Sequence, residues 1–382
     1  MTMENWTVRF LSSITEIDRC TWNVISGTAH PFIRYEFLAA LEHSGATTAE
    51  TGWQVSHAVI SHGAAPVAVL PLYLKSHSYG EYVFDFAWAD AWSRYGLSYY
   101  PKLVASIPFT PVTGPRLCIA ANVDRAAVLS ALLPALDARV AAMGASGWHV
   151  LFPRASLAER LAEHGTMTRR AVQFHWFNRD YACFDDFLAR FTSRKRKNLR
   201  KERSKIAAQG ITLGTWCGEA ISEDLWDQFF TFYQLTYARR SGHGGYLNRE
   251  FFRQIAATMG EHLVLVLASR AGRIIAGALS FRDSDTLYGR YWGCIEDCDF
   301  LHFEACYHQG IEYCIEQGLQ RFDSGAQGEH KIQRGFEPVY TYSTHVIAEP
   351  SFRPAIAEFL REEGAHVDGH KARASELLPY RK

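Results

Sequence analysis

Apolar positions in the first half of the chain fall into two periods. Alternating runs at 6–11, 54–62, 66–73 and 82–88 predict strands, and the Ser61-His62-Gly63 turn joins the second and third as an antiparallel hairpin. Helical spacing predicts a helix starting at 13–17 and others at 35–44, 126–143 and 156–164, with a short strand at 148–152. The aromatic stretch 99–113, containing PFTPVTGPRL, reads as a loop.

The second half repeats this order. Strands are predicted at 173–177 and 211–216, helices at 225–240 and 249–259, then a meander at 262–269, 273–281 and 286–293. Its turns fall at Ala271-Gly272 and Asp283-Ser284-Asp285. Helix 301–317 follows, closed by Gly318 as C-cap, then a strand at 321–323 and a last one at 340–348. Each half thus runs helices, antiparallel meander, helix, closing strand. That order predicts an α/β protein of the α+β type with mixed sheets, built from two similar units, residues 1–168 and 169–382. A chain of 382 residues also exceeds what one core usually serves.

Composition narrows the function classes. Apolar residues at 48% and charged residues at 21% exclude wholesale disorder, and 14% aromatics suit both large cores and ligand clefts. The 40 basic and 40 acidic residues cancel, so any case for a polyanionic partner must come from local clusters. The eight cysteines form no CxxC pair. Cys294 and Cys298 before His302 lack a second ligand pair, so no metal is expected. The N-terminal residues show no basic stretch followed by an apolar run, and no segment has the ~20 apolar residues that span a bilayer. The sequence therefore predicts a cytoplasmic protein without a transmembrane segment.

Two charged features stand out. SRKRKNLRKERSK, 193–205, carries eight cations against Glu202 alone and no Gly or Pro, which predicts a helix with cations all round it. It reads either as a solvated helix or as a surface for a polyanion, which would relieve the repulsion. DSGAQGEHKIQRGF, 323–336, places Glu329, His330, Lys331 and Arg334 among Gly325, Gly328 and Gly335 after a strand. Glycines let backbone and ligand approach closely there, so the segment reads either as a polar connection or as a site. In the site reading, Lys331 and Arg334 hold phosphate or an oxyanion, and Glu329 or His330 accepts a proton. A third cluster is LYGRYWG, 287–293, with Arg290 and Trp292, followed by Glu296, Asp297, Asp299, His302 and Glu304. Glu304 is either a proton acceptor or a helix-terminus charge. Asp85, Trp88, Asp90, Ser93, Arg94 and Tyr95 crowd one strand end in the first half as possible acceptor-binding groups. GxGxxG, GxxxxGK[ST], HExxH and GxSxG are all absent, which argues against Rossmann, P-loop, zincin and α/β-hydrolase chemistry.

FTSRKRKNLRKER, GALSF, LYGRYWG and HFEACYHQGIEYCIEQGLQRFDSGAQGEHKIQRGFEPV, with PFTPVTGPRL in the first half, resemble the FemAB-like proteins of the GNAT superfamily over nearly the whole chain. The resemblance implies a tandem pair of GNAT-like domains. It implies an N-acyltransferase of peptidoglycan biosynthesis that passes an aminoacyl or acyl group from an activated ester to an amine of a peptide or cell-wall-precursor-like acceptor. The implied donor is aminoacyl-tRNA, with no cofactor required. Lys331, ahead of Gly335-Phe336, matches the family lysine that holds the tRNA end and the transferring carbonyl, with Arg334 as helper. Arg290, Trp292 and Phe336 are expected to bind substrate, and Arg194, Arg196, Lys197 and Arg200 to track the tRNA acceptor end. Two features depart from the pattern. A long coiled-coil insertion is missing, and the stretch matching the GNAT pyrophosphate loop reads CIEDCDFLHF, acidic and free of glycine. Two alternatives stay open: an acyl-CoA-dependent enzyme with a divergent donor site, and a non-catalytic peptide- or RNA-binding module.

Overall fold

The computed structural model describes residues 6–326 and 328–381. It divides into two compact units. One comprises Met1–Ala171 with Tyr340–Asp368, the other Val172–Val339 with Gly369–Lys382. The two units are not continuous blocks, because residues 340–368 return to the first unit.

The first unit holds two sheets. Trp6–Leu11, His57–His62, Ala65–Leu70 and Cys118–Ile119 form an antiparallel sheet in that order. In the second sheet the 343–347 part of Glu337–Ile347 pairs antiparallel with Gly147–Leu151. That strand runs parallel to Lys102–Ala105, which leads on to Tyr73–Lys75 and Trp53–Val55. The predicted strand 54–62 is therefore two strands in different sheets, separated at Ser56. The predicted strand 82–88 is wrong: Phe86–Arg94 is a helix. Trp88 and Trp92 are buried four residues apart, on one helical face, while Phe84 and Phe86 stay exposed.

Among the described residues, one helix, Arg125–Met143, is long and apolar enough to cross a membrane by length and composition. Its Val128, Leu129, Leu132, Leu136 and Val140 belong to the core of the first unit, packed with Ile60, Leu103 and Trp148.

The second unit carries one sheet, in the order Ile211–Cys217, Leu263–Arg270, Arg273–Arg282, Thr286–Cys294, Arg321–Asp323 and the 175–177 end of Met167–Phe177. All pairings are antiparallel except Thr286–Cys294 with Arg321–Asp323. Helix Glu223–Ser241 opens on a Ser222 cap bonded to the Leu225 N–H, has Glu223 and Asp224 in its first turn, and ends at the left-handed Gly242. It lies hard against the sheet at Gly293, where any Cβ would sit 2.1 Å from the Phe232 carbonyl oxygen. The aromatic core beneath the glycine-rich segment gathers Trp176, Phe187, Tyr307, Phe322 and Phe336. Helix Arg353–Glu376 has no counterpart in the predicted elements.

Candidate functional site

The site of the second unit starts from an irregularity in a strand. Leu279 pairs with Tyr291, yet the next residue, Ser280, pairs with Gly289. Arg290 is thus an extra residue, a β-bulge, and bulges re-aim side chains. Four successive residues, Gly289 to Trp292, accordingly line one cavity of about 490 Å3, which strict alternation would forbid.

Opposite the strand, the helix after it is interrupted. Leu301–Phe303 is α, Glu304–His308 is wound as a π-turn, and Gln309–Glu316 is α again. His302, Cys306 and Tyr307 from this stretch line the cavity. So do Tyr237 and Arg240 from the end of helix Glu223–Ser241.

The glycine-rich segment closes the site. Glu329–Arg334 forms a 3-10 helix between left-handed Gly328 and Gly335. At Gly335 a Cβ would also sit 2.8 Å from the Phe187 ring and the Tyr380 hydroxyl, so glycine is required there. Gln327 lies outside the described residues.

This segment distributes the expected groups unequally. His330 lines the cavity, and its Nε2 lies 2.9 Å from the Tyr307 hydroxyl. Lys331 is buried just behind the cavity wall, its Nζ donating to the carbonyls of Ser324 (3.1 Å) and Gly325 (2.7 Å). Arg334 donates to the His330 carbonyl (2.9 Å) and to Glu202 (2.7 Å) and stacks 3.4 Å from the centre of the Phe303 ring. Phe336 is fully buried behind Tyr307, with ring centres 5.5 Å apart, and so supports the wall without forming it. Glu329 is largely exposed, 3.9 Å from His370. Glu304 is buried among Arg203, His308 and Gln309 and does not line the cavity. Arg290 and Trp292 do line it.

The predicted basic helix spans Ser193–Ala208. Arg194, Lys197 and Arg200 are exposed and Arg196 is partly so; Arg200 pairs with Asp185 at 2.8 Å.

Electrostatics favour neutral imidazoles. Burial, reinforced by His330 and Arg240, pushes His302 down to about 3. Burial, with Arg334 and Lys331 adding, also lowers His330 below the ordinary histidine range. Burial brings Lys331 down to about 8 despite Asp323, which opposes the shift. Among the described residues no carboxylate lines the cavity, whereas Arg240 and Arg290 do.

Sequence reasoning missed Tyr307 and Arg240. Tyr307 sits in a π-turn, which has no periodic signature. Arg240 precedes Gly242-His243-Gly244-Gly245, a glycine cluster that marks the end of a helix beside the site.

The mixed α/β fold with tandem GNAT-like units holds as expected, and its bulged strand, interrupted helix and glycine-rich segment enclose the cavity. The chain belongs to the FemAB-like family, described as peptidoglycan biosynthesis/recognition, which matches residues 13–382. The family description ties the chain to peptidoglycan biosynthesis or recognition. Among solved structures it is similar to FemX (12% identity, TM-score 0.51, 91% of this chain and 99% of that one). It is also similar to L-PGS from Bacillus licheniformis (10%, 0.52, 87% and 96%) and to a conserved protein of unknown function from Bacteroides thetaiotaomicron (11%, 0.53, 89% and 100%). Among proteins of curated function, none matches the sequence.

Proposed function

We propose that this chain transfers an aminoacyl or acyl group from an activated ester, with aminoacyl-tRNA as donor, to the amine of a peptide or cell-wall-precursor acceptor. The observation that supports it is the Tyr307–His330 pair, 2.9 Å apart, on a cavity that Arg290 also lines. The amine nitrogen attacks the ester carbonyl. Arg290, re-aimed by the bulge, faces the oxyanion that forms. The nitrogen loses its proton through the Tyr307 hydroxyl to the neutral His330, and the departing ribose oxygen takes a proton back. Lys331 acts one layer behind, holding the Ser324 and Gly325 carbonyls. Arg334 does the same for the His330 carbonyl. Arg194, Arg196 and Lys197, which make no ion pair among the described residues, receive donor phosphates, and Arg200 joins them by exchanging Asp185.

Donor choice rests on the second wall. Glu296, Asp297 and Asp299 line an adjoining cavity of about 260 Å3 where a pyrophosphate loop would lie, and these three carboxylates outnumber Arg239 and Arg240 there, which disfavours a pyrophosphate. The reading therefore favours aminoacyl-tRNA over acyl-CoA. It needs no resident cofactor, and it places the reaction in the cytoplasm, where charged tRNA is made.

The test is binding of charged tRNA and of acetyl-CoA, followed by single-turnover loss of the aminoacyl ester with a stem pentapeptide as acceptor. Charged tRNA is expected to bind wild type and His330→Ala alike, with transfer lost in the variant. Failure of both donors to bind overturns the transferase reading. Binding without transfer in wild type favours a non-catalytic RNA-binding module.

A further inference from the structure

The basic helix also reaches inward. Arg203 forks across two carboxylates, donating to Glu304 Oε1 at 2.9 Å and to Glu312 at 2.7 and 2.9 Å, with the Phe184 ring centre 4.6 Å away. Glu304 is buried and accepts further bonds from His308 Nδ1 (3.0 Å) and Gln309 Nε2 (2.9 Å). Since an ionised carboxylate only accepts, Nδ1 is the donor.

These contacts bracket the π-turn. Glu304 is its first residue and His308 its fifth, and the Gln309 N–H bonds the Glu304 carbonyl across it. A π-turn is less favourable than continuous α-helix and persists where side chains hold it. Tyr307 lies inside this turn. Reversion to α would rotate it by about 100° about the helix axis and carry its hydroxyl off His330.

We infer that Arg203, Glu304 and His308 form a positioning brace that fixes the π-turn and so holds the Tyr307 hydroxyl on His330. The inference rests on the proposed reaction for its purpose, though the geometry needs no substrate. Glu304 thereby becomes a positioning residue, whereas the sequence suggested a proton acceptor. Its hydrogen bonds to His308, Gln309 and Arg203 outweigh burial and hold its carboxyl at about 2, too acidic for that role. The brace also makes one residue of the phosphate-facing helix part of the catalytic support.

The test reads His330 itself by NMR titration of histidine-labelled protein. Arg334, Lys331, His302 and Tyr307 face this imidazole. In wild type its midpoint is expected below the ordinary range. Glu304→Ala and Tyr307→Phe are each expected to shift it in the same direction, and the double variant no further than either alone. Glu304→Gln, which keeps the shape and an accepting oxygen, is expected to restore most of the wild-type value and guards against a folding defect in the alanine variant. A wild-type midpoint in Glu304→Ala, or additive shifts in the double variant, overturns the brace. Because no donor is present, failed transfer would sink the proposed reaction without touching this result.

Discussion

Each unit contains one pair of parallel neighbouring strands in an otherwise antiparallel sheet, and the two pairs treat charge in opposite ways. In the first unit, Lys102 on Lys102–Ala105 is buried beside Gly147–Leu151. Its ammonium bonds Asp85, Glu81 (2.8 Å) and Ser78 (2.8 Å), and Asp85 also accepts from Tyr99 (2.7 Å). The charges there are bonded within the cluster, and burial, partly offset by Lys102, pushes Glu81 up to about 7. In the second unit, the strand with Arg290 borders a cavity that Arg240 and Arg290 line and, among the described residues, no carboxylate does. A buried, internally bonded cluster supports its own unit, whereas an open cavity lined by cations has room for an anion. Of the group suggested by the sequence as an acceptor site, Asp85 and Trp88 are buried within the unit, whereas Asp90, Ser93, Arg94 and Tyr95 are exposed.

Deletions should separate the two cases. Lys102→Met leaves Asp85 and Glu81 buried without their cation and is expected to cost about 3–5 kcal/mol in urea unfolding. A loss below about 1 kcal/mol would mean that the cluster is not self-balancing. His330→Ala is expected to do the reverse, lowering the rate of transfer by about 10²–10⁴ while the melting temperature stays within a few degrees. A drop in melting temperature matching that of Lys102→Met would erase the contrast.

Lys331 sharpens it through pH. The folded state holds this amine at about 8, while the unfolded chain keeps the ordinary, higher value. Between these the unfolded state binds the extra proton, so stability rises with pH. Wild type is therefore expected to gain on Lys331→Met from about pH 8 to about pH 10.5, by up to about 1.4 kcal/mol per pH unit. Parallel pH–stability curves for the two proteins would show that Lys331 stays charged. The smallest effect concerns the exposed helix face. Arg196→Glu with Lys197→Glu is expected to weaken tRNA binding by about tenfold and lower the salt slope by about one per cation. Stability should move by less than about 0.5 kcal/mol. An unchanged salt slope would remove the phosphate-binding role.

The meander of the second unit was legible because Ala271-Gly272 and Asp283-Ser284-Asp285 mark its turns and apolar runs separate them. The basic helix was legible from composition. Residues 82–88 misled because Tyr82, Phe84, Phe86 and Trp88 alternate, whereas burial of Trp88 with Trp92 selects a helix. The return of residues 340–368 to the first unit was invisible, since local pattern fixes the type of an element and not its partner. Of the site, the glycine-rich segment and His330 were found. The inward turn of Lys331 and Arg334 was not, because orientation depends on packing from elsewhere in the chain.

The bulge at Arg290 has a consequence for any attempt to transplant this site. One added residue reverses the inside–outside parity of everything beyond it, so the strand behaves as two half-strands read in different phases. Composition can drift on either side while the site survives, but a single-residue deletion between Leu287 and Tyr291 would put the whole distal half out of phase. Length, more than chemistry, is what a graft of this strand must preserve.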